Sequence, residues 1–121
     1  MVEFSFEKLD VWKLTRKLVK VIYILTKDLP SEEKYGLCSQ LRRSAVSVSS
    51  NIAEGSAKKS RIEQARFTEI SYGSLLELLS QLIISYDLKY ISKDDLKKLR
   101  EQIEIIAKKL SGLKRYQQTK R

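Results

Sequence analysis

Residues 40–58 read QLRRSAVSVSSNIAEGSAK. Two adjacent arginines, five serines and an asparagine stand in it, yet apolar residues recur at helical spacing. Serine and asparagine side chains compete for backbone hydrogen bonds and are poor helix-interior residues. The stretch is therefore either a binding site or a helix packed so closely that only small residues fit. At about 100° per residue, Leu37, Leu41, Ala45, Val48 and Ile52 share one arc. Cys38, Val46 and Ala53 widen it to about half the circumference. Arg43, Ser47, Ser50 and Glu54 form a separate polar stripe, flanked by Gln40, Ser44 and Asn51. Arg43 and Glu54 lie about three turns apart, too far to touch. Each can instead pair with a neighbouring helix, for example with Glu77 or Arg66. Arg42 falls on the edge of the apolar arc, where a guanidinium should snorkel or meet an acid from another helix or subunit. So wide an arc, with small residues that admit close backbone approach, points to self-association; a tightly packed helix in a monomer is the alternative.

Working outward, the chain is punctuated as a helical protein. It has one proline and four glycines in 121 residues, which sets one domain as the default. Val11, Leu14, Leu18, Val21 and Leu25 form a bundle seam on a first helix over 9–29. Pro30 ends it. Ser31 is read as the N-cap of a second helix over 32–54, with Gly55 in the C-terminal capping position. Ser60-Arg61-Ile62-Glu63 is a capping box for a third helix over 61–89, whose seam is Tyr72, Leu75, Leu79, Leu82 and Tyr86. Ser92 opens a fourth over 93–111, with the seam Leu96, Leu99, Ile103, Ile106, Leu110 and Leu113. Gly112 frays or ends it, leaving 114–121 as a basic mobile tail. Four helices of similar length joined by short loops make an all-α, antiparallel up-down-up-down four-helix bundle over 1–113.

The formal net charge is +9 and the pI about 9.7. Such a field favours polyanions, above all nucleic acid; a solvated lysine-rich surface is the alternative. The topology sorts this charge. Both termini and the loop between helices two and three share one end, which collects Lys8, Lys13, Arg16, Lys58, Lys59, Arg61, Arg66, Lys108, Lys109, Lys114, Arg115, Lys120 and Arg121. Fewer acids oppose them there (Glu3, Glu7, Asp10, Glu54, Glu63), and the opposite end has more acids than bases. Lys13, Arg16, Lys17 and Lys20 also share one face of the first helix. They could track a phosphate backbone, or form the solvent face opposite the seam. No base-reading module is present, so backbone and shape recognition is expected.

Other classes fare worse. There is no histidine and one cysteine, Cys38, which removes the commonest general base and metal ligand and any internal disulfide. No metal and no cofactor are expected. The serines have no base to activate them, no G-x-S-x-G elbow occurs, and Gly55 and Gly73 are isolated rather than part of a phosphate loop. The chain is read as non-enzymatic. No apolar run reaches the length of a membrane span and the start has no signal-like pattern, so a cytoplasmic protein without membrane contact is expected.

Four stretches together carry a family resemblance: FEKLDVW (6–12), LPSEEKYGL (29–37), QLRRSAVSVSSNIAEG (40–55) and GSLLEL (73–78). Over about 6–113 the chain resembles the four-helix bundle proteins also called 23S ribosomal RNA intervening-sequence proteins. The matching motif positions are Arg42, Arg43, Asn51, Glu54, Gly55, Gly73, Ser74 and Glu77. The resemblance implies a small bacterial four-helix protein whose reading frame often lies in an insertion within the 23S rRNA gene. It also implies a fold similar to the accessory protein of diversity-generating retroelements, a ring-shaped pentamer that binds nucleic acid and the reverse transcriptase. An oligomer that recruits a protein partner such as a reverse transcriptase is thus the second reading beside nucleic-acid binding. Gly73 sits mid-helix, where glycine costs about 1 kcal/mol against alanine; a closely crossing helix would account for it.

Overall fold

A computed structural model describes residues 1–119. It contains α1 (Asp10–Thr26), α2 (Leu37–Ser56), α3 (Arg61–Asp87) and α4 (Lys93–Thr119), with short 3₁₀ turns at Ser5–Lys8 and Ser31–Glu33. Among the described residues there is no strand. Lys120 and Arg121, assigned above to the basic end, lie outside the described residues.

The α2–α3 partners recede along α3 as they advance along α2: Ser44 with Gln81, Ser47 with Ser74, Val48 with Ser71, and Gly55 against Phe67. That order is antiparallel. α1 packs on α2, α4 packs on α3, and α1 meets α4 to close the ring. The expected all-α four-helix bundle is the observed fold.

The core is filled by fully buried side chains from every helix, among them Leu18, Ile22, Leu41, Val48, Leu75, Leu78, Leu82, Ile103, Ile106 and Leu110. Each such side chain contributes roughly 1.5–3 kcal/mol relative to exposure. The α4 seam is as expected, with Leu99, Ile103, Ile106 and Leu110 buried. The α1 seam is rotated. Val11, Thr15, Leu18, Ile22 and Thr26 are buried, while Leu14, Val21 and Leu25 are half-buried. Threonine can occupy that line because its hydroxyl back-bonds: Thr15 Oγ1 donates to the Trp12 carbonyl and Thr26 Oγ1 to that of Ile22, both at 2.7 Å. On α3, Leu75 and Leu82 are buried as expected, but Tyr86 is exposed and Ser71, Ser74 and Ser85 are buried instead. α3 covers two neighbours at once, so its serine face is buried on α2 as well as its leucine face on the core.

Several boundaries differ from the sequence reading. α1 ends at Thr26, and the chain turns through Lys27–Leu29 before Pro30. Ser31 does not cap α2. The helix starts six residues later, where the Glu33 carboxylate accepts from the Leu37 backbone N–H at 3.1 Å. Gly55 does not cap α2 either. It is buried inside the last turn, which runs on to Ser56. A Cβ there would lie 2.7 Å from the Cβ of Phe67, so Gly55 is where the α2 and α3 backbones approach. Gly73, expected at such a crossing, is exposed, and an added Cβ would meet nothing within 4 Å. Gly112 does not end α4. The helix continues to Thr119, because Gln117 is buried and its Oε1 accepts from Thr68 Oγ1 at 2.7 Å. The expected mobile tail is thus helical as far as Thr119. Two caps hold as read: Ser60 Oγ accepts from the Glu63 N–H, and Ser92 Oγ from that of Asp95.

Candidate nucleic-acid interface

The start of α1, the end of α2, the start of α3 and the end of α4 share one end of an antiparallel bundle. Of the residues assigned there, Lys13, Arg16, Lys59, Arg66 and Arg115 are exposed, and Lys58, Arg61 and Lys114 are half-exposed. Lys17 and Lys20 continue the exposed α1 face away from that end. Lys108 and Lys109 are exposed too, further back along α4. Because α4 runs on to Thr119, they stand roughly 15 Å from its last turn at 1.5 Å per residue.

Three of the cations are seated on aromatic rings. The Arg16 guanidinium lies 5.6 Å over the Trp12 ring, and Trp12 is itself held by an edge-on contact with Phe6 at 4.9 Å. Lys58 Nζ lies 4.9 Å over Phe67, and the Arg61 guanidinium lies 4.9 Å over Tyr116. A ring face holds a cation electrostatically without neutralising it, so these charges are positioned yet still attract anions. The turn beneath them is pinned by Gln64, whose Nε2 donates to the Lys58 carbonyl at 2.8 Å. Lys114 is different. It pairs with Glu69 at 3.0 Å, which spends part of its charge inside the protein. Sequence reasoning listed the cations and missed Trp12, Phe67 and Tyr116. The Trp12–Arg16 spacing of one helical turn was the available signal; Lys58 meets Phe67 across a loop, and Arg61 meets Tyr116 on another helix.

The signature on α2 is engaged within the bundle. Arg43 pairs with Glu77 and donates to Gln40 Oε1 at 2.9 and 3.1 Å. Ser44 donates to Gln81 Oε1 at 2.8 Å, Ser47 and Ser74 share a hydroxyl contact at 2.9 Å, and Ser71 donates to the Val48 carbonyl at 2.7 Å. Asn51 Nδ2 donates to the Ser47 carbonyl at 2.8 Å. Glu54 stays exposed and forms no ion pair among the described residues. Arg43, Asn51 and Glu54 therefore do not converge on a common substrate position. Among the described residues Arg42 meets no acid. Its Nε donates to Thr26 Oγ1 at 2.8 Å, its Nη2 reaches the Tyr23 carbonyl, and its guanidinium rests 4.5 Å over the Tyr23 ring. It thus holds the carbonyl end of α1, where a cation is favoured.

Glu33 ties the far end together. Besides taking the Leu37 N–H, it accepts from Tyr90 Oη at 3.1 Å. That hydrogen bond, with burial and the charges of Glu33 and Glu32, raises the Tyr90 phenol above its ordinary value. Among the described residues no group of three histidine, cysteine, aspartate or glutamate side chains is placed to hold a metal, and no helix is long and apolar enough to cross a membrane.

The model of the 23S rRNA-intervening sequence protein family matches residues 7–112. The chain belongs to that family. No curated protein matches this family member. Among solved structures it is similar to a protein of unknown function from the S23 ribosomal protein family of Bacteroides thetaiotaomicron, with a TM-score of 0.79 and 23% identity over 85% of this chain and 96% of that one. At that identity the likeness concerns the fold.

Proposed function

We propose that this family member is a non-enzymatic, self-associating bundle that binds nucleic acid, RNA or DNA, through the phosphate backbone at its basic end. The observation that carries this reading is the seating of Arg16, Lys58 and Arg61 on aromatic rings at the one end where the topology gathers cations. Arg42 on Tyr23 and Lys34 on Tyr35 are seated likewise at the far end, so it is the seats together with the gathered charge that mark the basic end. Binding of this kind releases counterions, so affinity falls linearly with log salt. A salt titration against structured RNA is the test. A steep negative slope that becomes shallower in a Lys58→Ala/Lys59→Ala double variant is expected. No binding at low salt, or a slope near zero, overturns the proposal.

Self-association rests on a separate feature. Ile70, Gly73, Leu76 and Ile84 lie on the outward side of α3 and are exposed. A glycine in an exposed helix interior gains nothing from its own chain, whereas a second chain laid across that face would profit from the missing side chain. Light scattering decides: a clean monomer at high concentration removes this part. The same face favours the second reading, an oligomeric scaffold that recruits a protein partner such as a reverse transcriptase. A stoichiometric protein partner retained after nuclease treatment would support that reading over nucleic-acid binding.

A further inference from the structure

Between the first turns of α3 and the last turns of α4 lies a groove of about 630 Å³. Ser60, Arg61, Ile62, Arg66, Gln117 and Gln118 border it. It exists only because α4 continues past Gly112, since Gln117 forms one wall and is fixed there by its bond to Thr68.

We propose that this groove takes an unpaired nucleotide, with its base stacked on the Arg61 guanidinium, which Tyr116 backs, and its phosphate on Arg61 and Arg66. The inference rests on the reading that this end binds nucleic acid, and it narrows the ligand to loops and single strands. Four features of the groove support it. The guanidinium of Arg61 is a flat cation already laid over the Tyr116 ring at 4.9 Å, and a planar guanidinium stacks on bases while its N–H groups still donate to phosphate. Ile62 is 84% exposed at the groove's edge, an apolar surface suited to a base face. Among the described residues Glu69 is the one carboxylate bordering the groove, and Lys114 pairs with it at 3.0 Å, which offsets part of its charge towards an anion. Gln118, exposed at the rim, brings an amide, which bonds base edges. In a duplex the base faces are covered by their neighbours and cannot use such a platform. Unpaired bases can, and stacking of this kind tolerates any base because every base has a π-face.

The experiment compares, by fluorescence anisotropy, a short single-stranded RNA, a hairpin that presents the same sequence in its loop, and a duplex of equal length. Single strand and loop are expected to bind about tenfold more tightly than the duplex. Arg61→Lys keeps the charge and loses the plane; it should abolish most of that preference while leaving the salt slope, which counts charges, unchanged. Tyr116→Leu, at a half-exposed position, should act in the same direction, with circular dichroism confirming the fold. Duplex binding as tight as loop binding, with a normal salt slope, overturns this inference and leaves the basic-end reading intact. A preference unmoved in both variants also overturns it. No binding by any of the three probes overturns both.

Discussion

The two seams that flank the bundle's interior are made differently. Between α2 and α3 the side chains are small and polar: Ser44, Ser47, Ser71 and Ser74 exchange hydrogen bonds across the gap, and Gly55 lets Phe67 lie against the α2 backbone. Between α1 and α4 the side chains are large and aliphatic, and they leave a groove of about 350 Å³ lined by Leu14, Val21, Ile105 and Ile106 among others. Small residues bring backbones together, and directional bonds then fix which residue faces which. Large ones fill space without fixing register, so one seam is closed and the other is open. The serines that looked costly in a helix are what closes the tighter seam.

Substitutions can break this contrast, taken from the largest effect to the smallest. Leu78→Ala empties a fully buried site on α3 and should cost about 2–5 kcal/mol in denaturant melts. Ile105→Ala, at a side chain 52% exposed beside the open groove, should cost less than about 1 kcal/mol. Similar losses for the two would mean the seams are equally packed. Glycine gives a sharper contrast of sign. Gly55→Ala should destabilise by about 1–3 kcal/mol through overpacking against Phe67, despite alanine's better helix propensity. Gly73→Ala, with open space around it, should stabilise the fold by up to about 1 kcal/mol. A stabilised Gly55 variant would end the claim of close approach.

Smaller effects concern the ties at the far end. Arg42→Ala removes the hydrogen bond to Thr26 and the stack on Tyr23, for an expected loss of about 1–2 kcal/mol. Lys98→Ala removes only an exposed pair with Asp94, and should stay within about 0.5 kcal/mol. Equal thermal midpoints for these two would demote Arg42 to a surface residue. The smallest effect is a dependence on pH. The Tyr90 phenol is raised in the folded protein, so its contribution is present below its ordinary value of 10.0 and is lost as pH rises through the folded value. The stability difference between the native protein and Tyr90→Phe should be constant near neutrality and shrink in alkali. A difference that grows with pH would reverse the sign argued here.

Much of this architecture was legible in the sequence, and the reasons are local. Ser60 and Ser92 announce helix starts because a cap and its partner lie three residues apart. The α4 seam is legible because α4 packs mainly on one neighbour, α3, and so keeps one apolar stripe. Two of the failures lie in contacts between helices. Gly55 resembles a cap when its neighbour Phe67 is invisible, and Gly112 resembles a stop when the Gln117–Thr68 bond is invisible. Ser31 is a sound local cap, overruled by a carboxylate two residues on that also takes Tyr90. Of the candidate interface, the charges could be counted from sequence. The rings that seat Lys58 and Arg61 could not, because Phe67 is reached across the α2–α3 loop and Tyr116 lies on α4.

The closed seam also bears on the order of assembly. α2 and α3 are consecutive, and their bonded pairs, such as Ser47 with Ser74 and Ser71 with Val48, are separated by no more than one hairpin's length of chain. Loops this short cost little entropy to close, and contacts this local form early. The hairpin from Leu37 to Asp87 is expected to set its register before Lys93–Thr119 docks. Its amides should therefore be the first protected in a pulse-labelling experiment, with α1 and α4 docking afterwards onto a template already set.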